Sequence, residues 1–308
     1  MPQAASRTAF PLAAFAAALL AALVLAPGRA EAGISSCTVE SSGIAFSAYN
    51  SQTKDAVDGT GTITVSCSGD GATNSLSINL TGGHLNSCTS RQMRNPAANG
   101  LNYQIFREAT RVNNFCDGGS RLDFNMDLSA TGSQTRVFTM YGRVLPAQNP
   151  VYSTAAYTDT LAISVKRGGN TVASTSTTIS GSVAAICSVS AGTLGFGSYS
   201  GSVVDAVATV TVNCSNGAPY QVGMGGGASP SGSLRRMAGP AGNYLAYQLY
   251  ANALRTIAWG DGSAQLGPRR GGTGSGAAQS LAVYGRVPAG QSPAAGSYAD
   301  SVVVTVEY

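Results

Sequence analysis

Thr158-Asp-Thr-Leu-Ala-Ile-Ser-Val-Lys166 and Ala299-Asp-Ser-Val-Val-Val-Thr-Val-Glu-Tyr308 are two versions of one strand, and the difference in the chain beyond them decides the fold. The first runs through a Gly168-Gly169-Asn170 turn into a further extended stretch, Thr171 to Ser180, for which the second has no counterpart. Strict alternation in the second places Val302, Val304, Val306 and Tyr308 on one face, opposite Ser301, Val303, Thr305 and Glu307. A core strand without a neighbour leaves an apolar groove and an unpaired edge, which invites pairing with another chain. The second copy is therefore expected to be a sandwich one strand short, made to be joined to something else.

The rest of the repeat extends outward from these two strands. Cys37-Thr-Val-Glu-Ser-Ser-Gly-Ile-Ala-Phe-Ser-Ala-Tyr49 matches Cys187-Ser-Val-Ser-Ala-Gly-Thr-Leu-Gly-Phe-Gly-Ser-Tyr199 at a spacing of 187 minus 37, or 150. Met93 to Gly118 matches Met237 to Gly262 without a gap, with 11 of 26 positions identical; chance gives roughly two at ordinary residue frequencies. Met140-Tyr-Gly-Arg-Val144 returns as Val283-Tyr-Gly-Arg-Val287, and Tyr157-Thr-Asp159 as Tyr298-Ala-Asp300. A period this long means whole domains and not solenoid units. With charged residues at 10% and 39 glycines, the composition suits short strands and tight turns better than surface helices. An all-β protein of two tandem domains is expected, 33–180 and 181–308, each of ordinary domain size.

Residues 1–32 read as an export signal: Arg7 at the positive end, an Ala/Leu-rich run from Phe10 to Ala26, and Ala30-Glu31-Ala32 as the small-residue cleavage site. Cleavage after Ala32 removes Arg7, Arg29 and Glu31 from 18 basic and 14 acidic residues, leaving 16 minus 13, or +3. So weak and scattered a charge gives no footprint for nucleic acid, and Arg235-Arg236 and Arg269-Arg270 read as solvated loop residues. Export makes disulfides stable. Cys37 and Cys67 recur as Cys187 and Cys214, which argues for one bridge per domain, and Cys88 and Cys116 are left to each other. Zinc is disfavoured by the lack of any C-x-x-C and by a single histidine.

Period-two patterns bounded by Gly, Asn and Pro place strands in the first domain near Ile44 to Tyr49, Thr60 to Cys67, Leu76 to Thr81, Leu101 to Arg107, Thr135 to Val144, Thr158 to Lys166 and Thr171 to Ser180. In the second they fall near Leu194 to Tyr199, Ala206 to Cys214, Tyr220 to Met224, Leu245 to Ala251, Ala278 to Val287 and Ala299 to Tyr308. A strand covering about 500 Å² of apolar surface contributes on the order of 12 kcal/mol as an upper bound. That is comparable with the whole stability of a domain, about 5 to 15 kcal/mol. The second domain is expected to need a strand from elsewhere.

The Cys-x-Val…Phe-x-x-Tyr opening, the second Cys one strand later, Tyr-Gly-Arg-Val with a Pro soon after, and the Tyr-x-Asp ending before an alternating strand together resemble the spore coat protein U domain family, the pilin module of archaic chaperone–usher pili. The resemblance spans both domains. It implies two immunoglobulin-like, pilin-type sandwiches, the second lacking its final strand. It also implies a periplasmic chaperone, an outer-membrane usher and an adjacent pilin subunit that donates a strand, the mode known as donor-strand complementation. In that setting the edge bearing Val302, Val304, Val306 and Tyr308 is the chaperone and donor-strand edge.

Only Gly33 to Ser36 stand between the expected cleavage site and Cys37, so this subunit is expected to accept a strand and to have none to give, as suits a pilus tip. Thr171 to Ser180 completes the first domain if Thr171, Ala173, Thr175, Thr177 and Ile179 face inward; the alternative is a flexible linker. At the free pole of the first domain three loops are expected, Ser68 to Asn74, Glu108 to Gly132 and Arg167 to Asn170, as adhesive ground for an unknown surface target. The middle one offers Val112 and Phe115 beside Cys116, with Phe115 as a core residue the competing assignment, because Trp259 holds its place in the other copy. The expected location is the cell surface, in a pilus or fimbrium; a coat or extracellular matrix protein using the same strand exchange is the alternative.

Nothing points to an enzyme or a cofactor. His84, the one imidazole, lies in a Gly-Gly-His-Leu turn, no Ser sits in a G-x-S-x-G elbow, and the runs Gly223 to Gly227 and Gly271 to Gly276 lack the Lys-Ser/Thr of a phosphate loop. Asp159 and Asp300 recur between copies, as do Asp117 and Asp261, which favours structural roles.

Overall fold

The computed structural model describes residues 33–69, 73–129 and 132–308; the expected export signal, residues 1–32, lies outside the described residues. In chain order the strands are β1 (Ile34–Ser41), β2 (Ile44–Ala45), β3 (Val57–Gly69), β4 (Thr73–Leu80), β5 (Arg91–Arg94), β6 (Gly100–Phe106), β7 (Leu122–Asp127), β8 (Ser133–Val144), β9 (Tyr157–Arg167) and β10 (Asn170–Gly181). They continue as β11 (Cys187–Ala191), β12 (Val204–Cys214), β13 (Pro219–Met224), β14 (Arg235–Ala238), β15 (Tyr244–Tyr250), β16 (Arg270–Thr273), β17 (Ala278–Val287) and β18 (Val304–Glu307). Among the described residues the only helical turns are three short 3-10 segments.

The protein is all-β, two tandem immunoglobulin-like sandwiches. In the first, one layer has the order β1-β3-β8-β6-β5 and the other β7-β4-β9-β10-β2, the two joined where Arg94 meets Thr158. Alternation builds its core: Ile63, Val65 and Cys67 of β3 and Leu161, Ile163 and Val165 of β9 point inward while their neighbours face water. The second sandwich repeats both layers as β11-β12-β17-β15-β14 and β16-β13-β18, with Ala238 bridged to Ala299 where Arg94 met Thr158.

Packing explains the repeated motifs. In Tyr-Gly-Arg-Val, Gly142 and Gly285 lie under the rings of Phe46 and Phe196, where any side chain would collide. Arg143 and Arg286 each grip Asp58 or Asp205 through two hydrogen bonds of 2.7 and 2.9 Å, and Arg111 and Arg255 join the same carboxylates from above Tyr141 and Tyr284. The Tyr of Phe-x-x-Tyr closes the layers at the Gln turn: Gln148 N donates to Tyr49 Oη at 2.9 Å and Gln291 N to Tyr199 Oη at 3.0 Å. Disulfides join Cys37 to Cys67, Cys88 to Cys116 and Cys187 to Cys214.

Several sequence expectations change. Among the described residues the strand numbers are ten and eight, against the seven and six expected; the additional ones are β1, β5 and β7 and their counterparts β11, β14 and β16. Glu108 to Gly132 is not one loop: Leu122, Phe124 and Met126 alternate inward and pair β7 with β4. Thr171 does not face the core; the register slips between Thr171 and Ala173, and this bulge shifts Thr171 outward while Ala173, Thr175, Thr177 and Ile179 keep the inner face.

At the junction of the sandwiches, Gln52 Nε2 donates to Ile186 O at 3.1 Å and to Asn213 O at 2.7 Å, and Ser51 Oγ lies 3.0 Å from Ser215 Oγ.

Candidate functional site

The second sandwich opens where the first is closed by β10. In the first, β10 runs antiparallel to β9 from Asn170↔Arg167 to Gly181↔Tyr157, and its far edge meets β2 in parallel at Ile179↔Ile44 and Ser180↔Ala45. In the second, β18 holds the place of β9: Met224 faces Val304 and Val222 faces Val306, as Leu80 faces Ile163 and Ile78 faces Val165. Among the described residues, β18 pairs with β13 alone; β11 lies near it but forms no ladder with it.

Loss of that neighbour spreads across the gap. Leu194 to Tyr199, expected as a strand, forms none, because the equivalent Ile44–Ala45 owes its assignment to pairing with β10. Ile44, Phe46 and Tyr49 are buried, whereas Leu194, Phe196 and Tyr199 are half-buried. Residues 301–303 also lie outside β18, although Gly225 N still donates to Val303 O at 2.9 Å. Between the two lips runs a cavity of about 380 Å³ floored by Val210, Val283 and Met224 and walled by Leu194, Phe196, Val302 and Val304. A neighbouring cavity of about 710 Å³ shares Leu194, Phe196, Met237 and Tyr298 with it and extends it toward Pro293. The result is an apolar groove beside an unpaired strand edge, continued toward Pro293 by a more polar cleft.

Val302, Val304 and Val306 lie half-buried against the core, while Tyr308 is exposed and does not join their contacts with it. Val303, on the outer face, is 70% exposed. A frame of hydrogen bonds borders the groove. Arg235, fully buried, donates to Gly225 O, Met224 O and Trp259 O at 2.8 to 2.9 Å and to Gln248 Oε1 at 2.6 Å. Burial lowers the pKa of its guanidinium, with the nearby Tyr247, Asp261 and Asp300 acting the other way. Tyr247 Oη donates to Asp300 Oδ2 at 2.7 Å, and burial pushes that phenol well above its ordinary value, with the Asp300 acceptor adding to the effect. Asp300 also accepts from Ala228 N at 2.7 Å, so it pins a loop at the groove's edge. Arg235 is thus not the solvated loop residue expected from the sequence but a buried strand residue, as is its counterpart Arg91, since a charged residue at an inward position resembles a surface residue until its carbonyl acceptors are known.

In the first sandwich the frame recurs with fewer bonds: Arg91 donates to Thr81 O and Phe115 O, while its Nη1 and Gln104 Oε1 have no hydrogen-bond partner. Tyr103 Oη donates to Asp159 Oδ2 at 2.8 Å, and His84 Nδ1 lies 2.7 Å from Asp159 Oδ1. The recurring aspartates are therefore clasps between strand and loop. Of the candidate tip residues, Val112 is 75% exposed. Phe115 is not available for contact: it is fully buried, its N–H donates to Ile105 O at 2.8 Å, and its carbonyl accepts from Arg91 at 2.8 Å, as Trp259 does from Arg235.

The chain is similar to several known proteins. A chaperone–tip adhesion subunit pre-assembly complex of the archaic chaperone–usher Csu pili of Acinetobacter baumannii is 20% identical, covering 77% of this chain and 85% of that one, with a TM-score of 0.47. The CupB6 tip adhesin of Pseudomonas aeruginosa is 11% identical over 89% of this chain and 94% of that one, with a TM-score of 0.37. Protein U of Myxococcus xanthus is 33% identical over 145 residues, 41% of this chain and 79% of that protein. The Spore Coat Protein U domain matches twice, over residues 29–164 and 173–305, one match for each copy of the repeat. The chain belongs to the Spore Coat Protein U domain family.

Proposed function

We propose that this protein is an exported subunit at the tip of a chaperone–usher pilus. Residues 1–32 direct export, the first sandwich (33–180) contacts a surface or cell, and the second (181–308) accepts a strand. A periplasmic chaperone caps the edge bearing Val302, Val304 and Val306 before an outer-membrane usher exchanges it for the extension of an adjacent pilin. One observation carries this: β10 completes the first sandwich, and the equivalent position beside β18 is an open apolar groove. The tip position is supported by β1, which begins at Ile34, pairs with β3 and is tied to it by Cys37–Cys67, so this segment is committed to its own sandwich. Val112, on the loop after β6, is the candidate for surface contact.

Co-expression with a periplasmic chaperone of such a system tests the assembly. A soluble one-to-one complex is expected, lost on deletion of Ser301 to Tyr308; capture that survives the deletion refutes the assignment of the edge. A coat or matrix protein is the second reading, favoured by the family's description and by the likeness to Protein U. Genes for a chaperone, an usher and a one-domain pilin beside this one support the pilus, and an isolated gene supports the coat.

A further inference from the structure

The first sandwich shows which strand fits its own groove, and the second groove is cut to a different size. Facing β9, Ala173 lies opposite Val165, Thr175 opposite Ile163 and Thr177 opposite Leu161. By the matched registers, the corresponding residues are Val306, Val304 and Val302, of which Val304 and Val302 line the open groove. Two of these three positions have lost a methylene. The floor shrinks as well: Ile63 becomes Val210, and Met140 becomes Val283, with only Gly61 to Ala208 going the other way.

Polarity changes at the same place. Thr177, 3% exposed, has its hydroxyl 2.8 Å from Ser41 Oγ. The repeat replaces Ser41 with Ala191, which lines the open groove. A threonine seated opposite Val302 would bury its hydroxyl without that partner, an uncompensated loss. Gly43, whose bare backbone lets the Thr178 carbonyl of β10 approach closely, is replaced by Thr193, also on the groove. The lip bearing Thr193 therefore keeps an incoming backbone further out, and longer side chains are needed to reach the floor.

We propose, on the basis of the strand-acceptor reading above, that the partner is a strand with large aliphatic side chains at the two positions facing Val302 and Val304, and that β10 of a second copy of this chain is rejected. The trimmed walls and the loss of the Ser41 partner together make the groove select against self-association: the threonines that seal the first sandwich leave voids and an unbonded hydroxyl in the second.

Two labelled twelve-residue peptides test this on the full exported chain refolded with its disulfides intact, read by fluorescence anisotropy. One has the sequence Asn170 to Gly181; the other is the same peptide with Thr175→Ile and Thr177→Leu. The expected result is at least a hundredfold tighter binding of the substituted peptide. Installing Val302→Leu, Val304→Ile and Ala191→Ser in the protein should shrink that preference at least tenfold. Equal binding of the two peptides, or preference for the unsubstituted one, overturns the size selection while leaving strand acceptance standing. Binding of neither overturns strand acceptance, and the selection with it.

Discussion

Gly142 lies beneath the ring of Phe46: a β-carbon added to it would stand 2.6 Å from Phe46 Cζ and 3.0 Å from Ile44 Cδ1. Gly285 has the same relation to Phe196 Cζ at 2.8 Å. The two rings differ in freedom, since Phe46 is buried and Phe196 borders the open groove. Gly142→Ala should therefore destabilise the first sandwich by about 1 to 3 kcal/mol, the usual range for overpacking. Gly285→Ala should cost less, because Phe196 can swing into empty space. Urea unfolding of each variant checks the difference; equal losses would show that the groove gives the ring no room.

Arg235→Ala removes the donor shared by three buried carbonyls, those of Met224, Gly225 and Trp259. Each carbonyl left buried without a donor costs about 1 to 3 kcal/mol. The second sandwich should unfold at markedly lower denaturant while the first is unaffected, measurable as a shift of the Trp259 fluorescence transition alone. Arg235→Lys should rescue only part of this, because one ammonium cannot fork to the same acceptors.

The bridges Cys37–Cys67 and Cys187–Cys214 close loops of similar length, with sequence separations of 30 and 27. Loop-closure entropy assigns each about 3 to 4 kcal/mol. Replacing Cys187 and Cys214 with Ser should abolish recovery of the folded second sandwich, which has little stability to spare. The same change at Cys37 and Cys67 should lower the melting temperature of the first sandwich without unfolding it at 25 °C. Calorimetry of both variants checks the asymmetry.

Asp58 and Asp205 are held below the ordinary carboxylate range, chiefly by hydrogen bonds from Arg143 and Arg286, with the charges of Arg111 and Arg255 assisting. A depressed native pKa gives stability that is complete above the unfolded value of about 3.9 and is lost as the pH falls through the native one. Both pairs are partly exposed, so the effect is small and screened by salt. Denaturation midpoints followed from pH 5 downward should fall, and Asp58→Asn with Asp205→Asn should flatten that fall.

Much of this architecture is visible in the residues themselves. Alternation in β3, β9 and β12 reports two-layer burial directly, and the repeat matches one layer pair to the other. The misses have physical causes. β5 and β14 are four residues long and carry Arg91 and Arg235 at inward positions, a pattern that makes sense only once buried carbonyls are there to receive the guanidinium. β7 has its alternation, Leu122, Phe124, Met126, set among Asp and Asn on a bare outer face. The extended segment at Leu194 has a strand's sequence but lacks the partner that would make it one, and pairing is a property of two segments. Phe115 could not be assigned from the sequence because an aromatic beside a cysteine fits both a core and a contact surface.

The junction decides how the molecule bears load. Gln52 grips Ile186 and Asn213, the residues directly before Cys187 and Cys214, so its two anchor points are stapled together by a covalent bond. A pull that draws the sandwiches apart thus enters the second one through a cross-linked pair of strands.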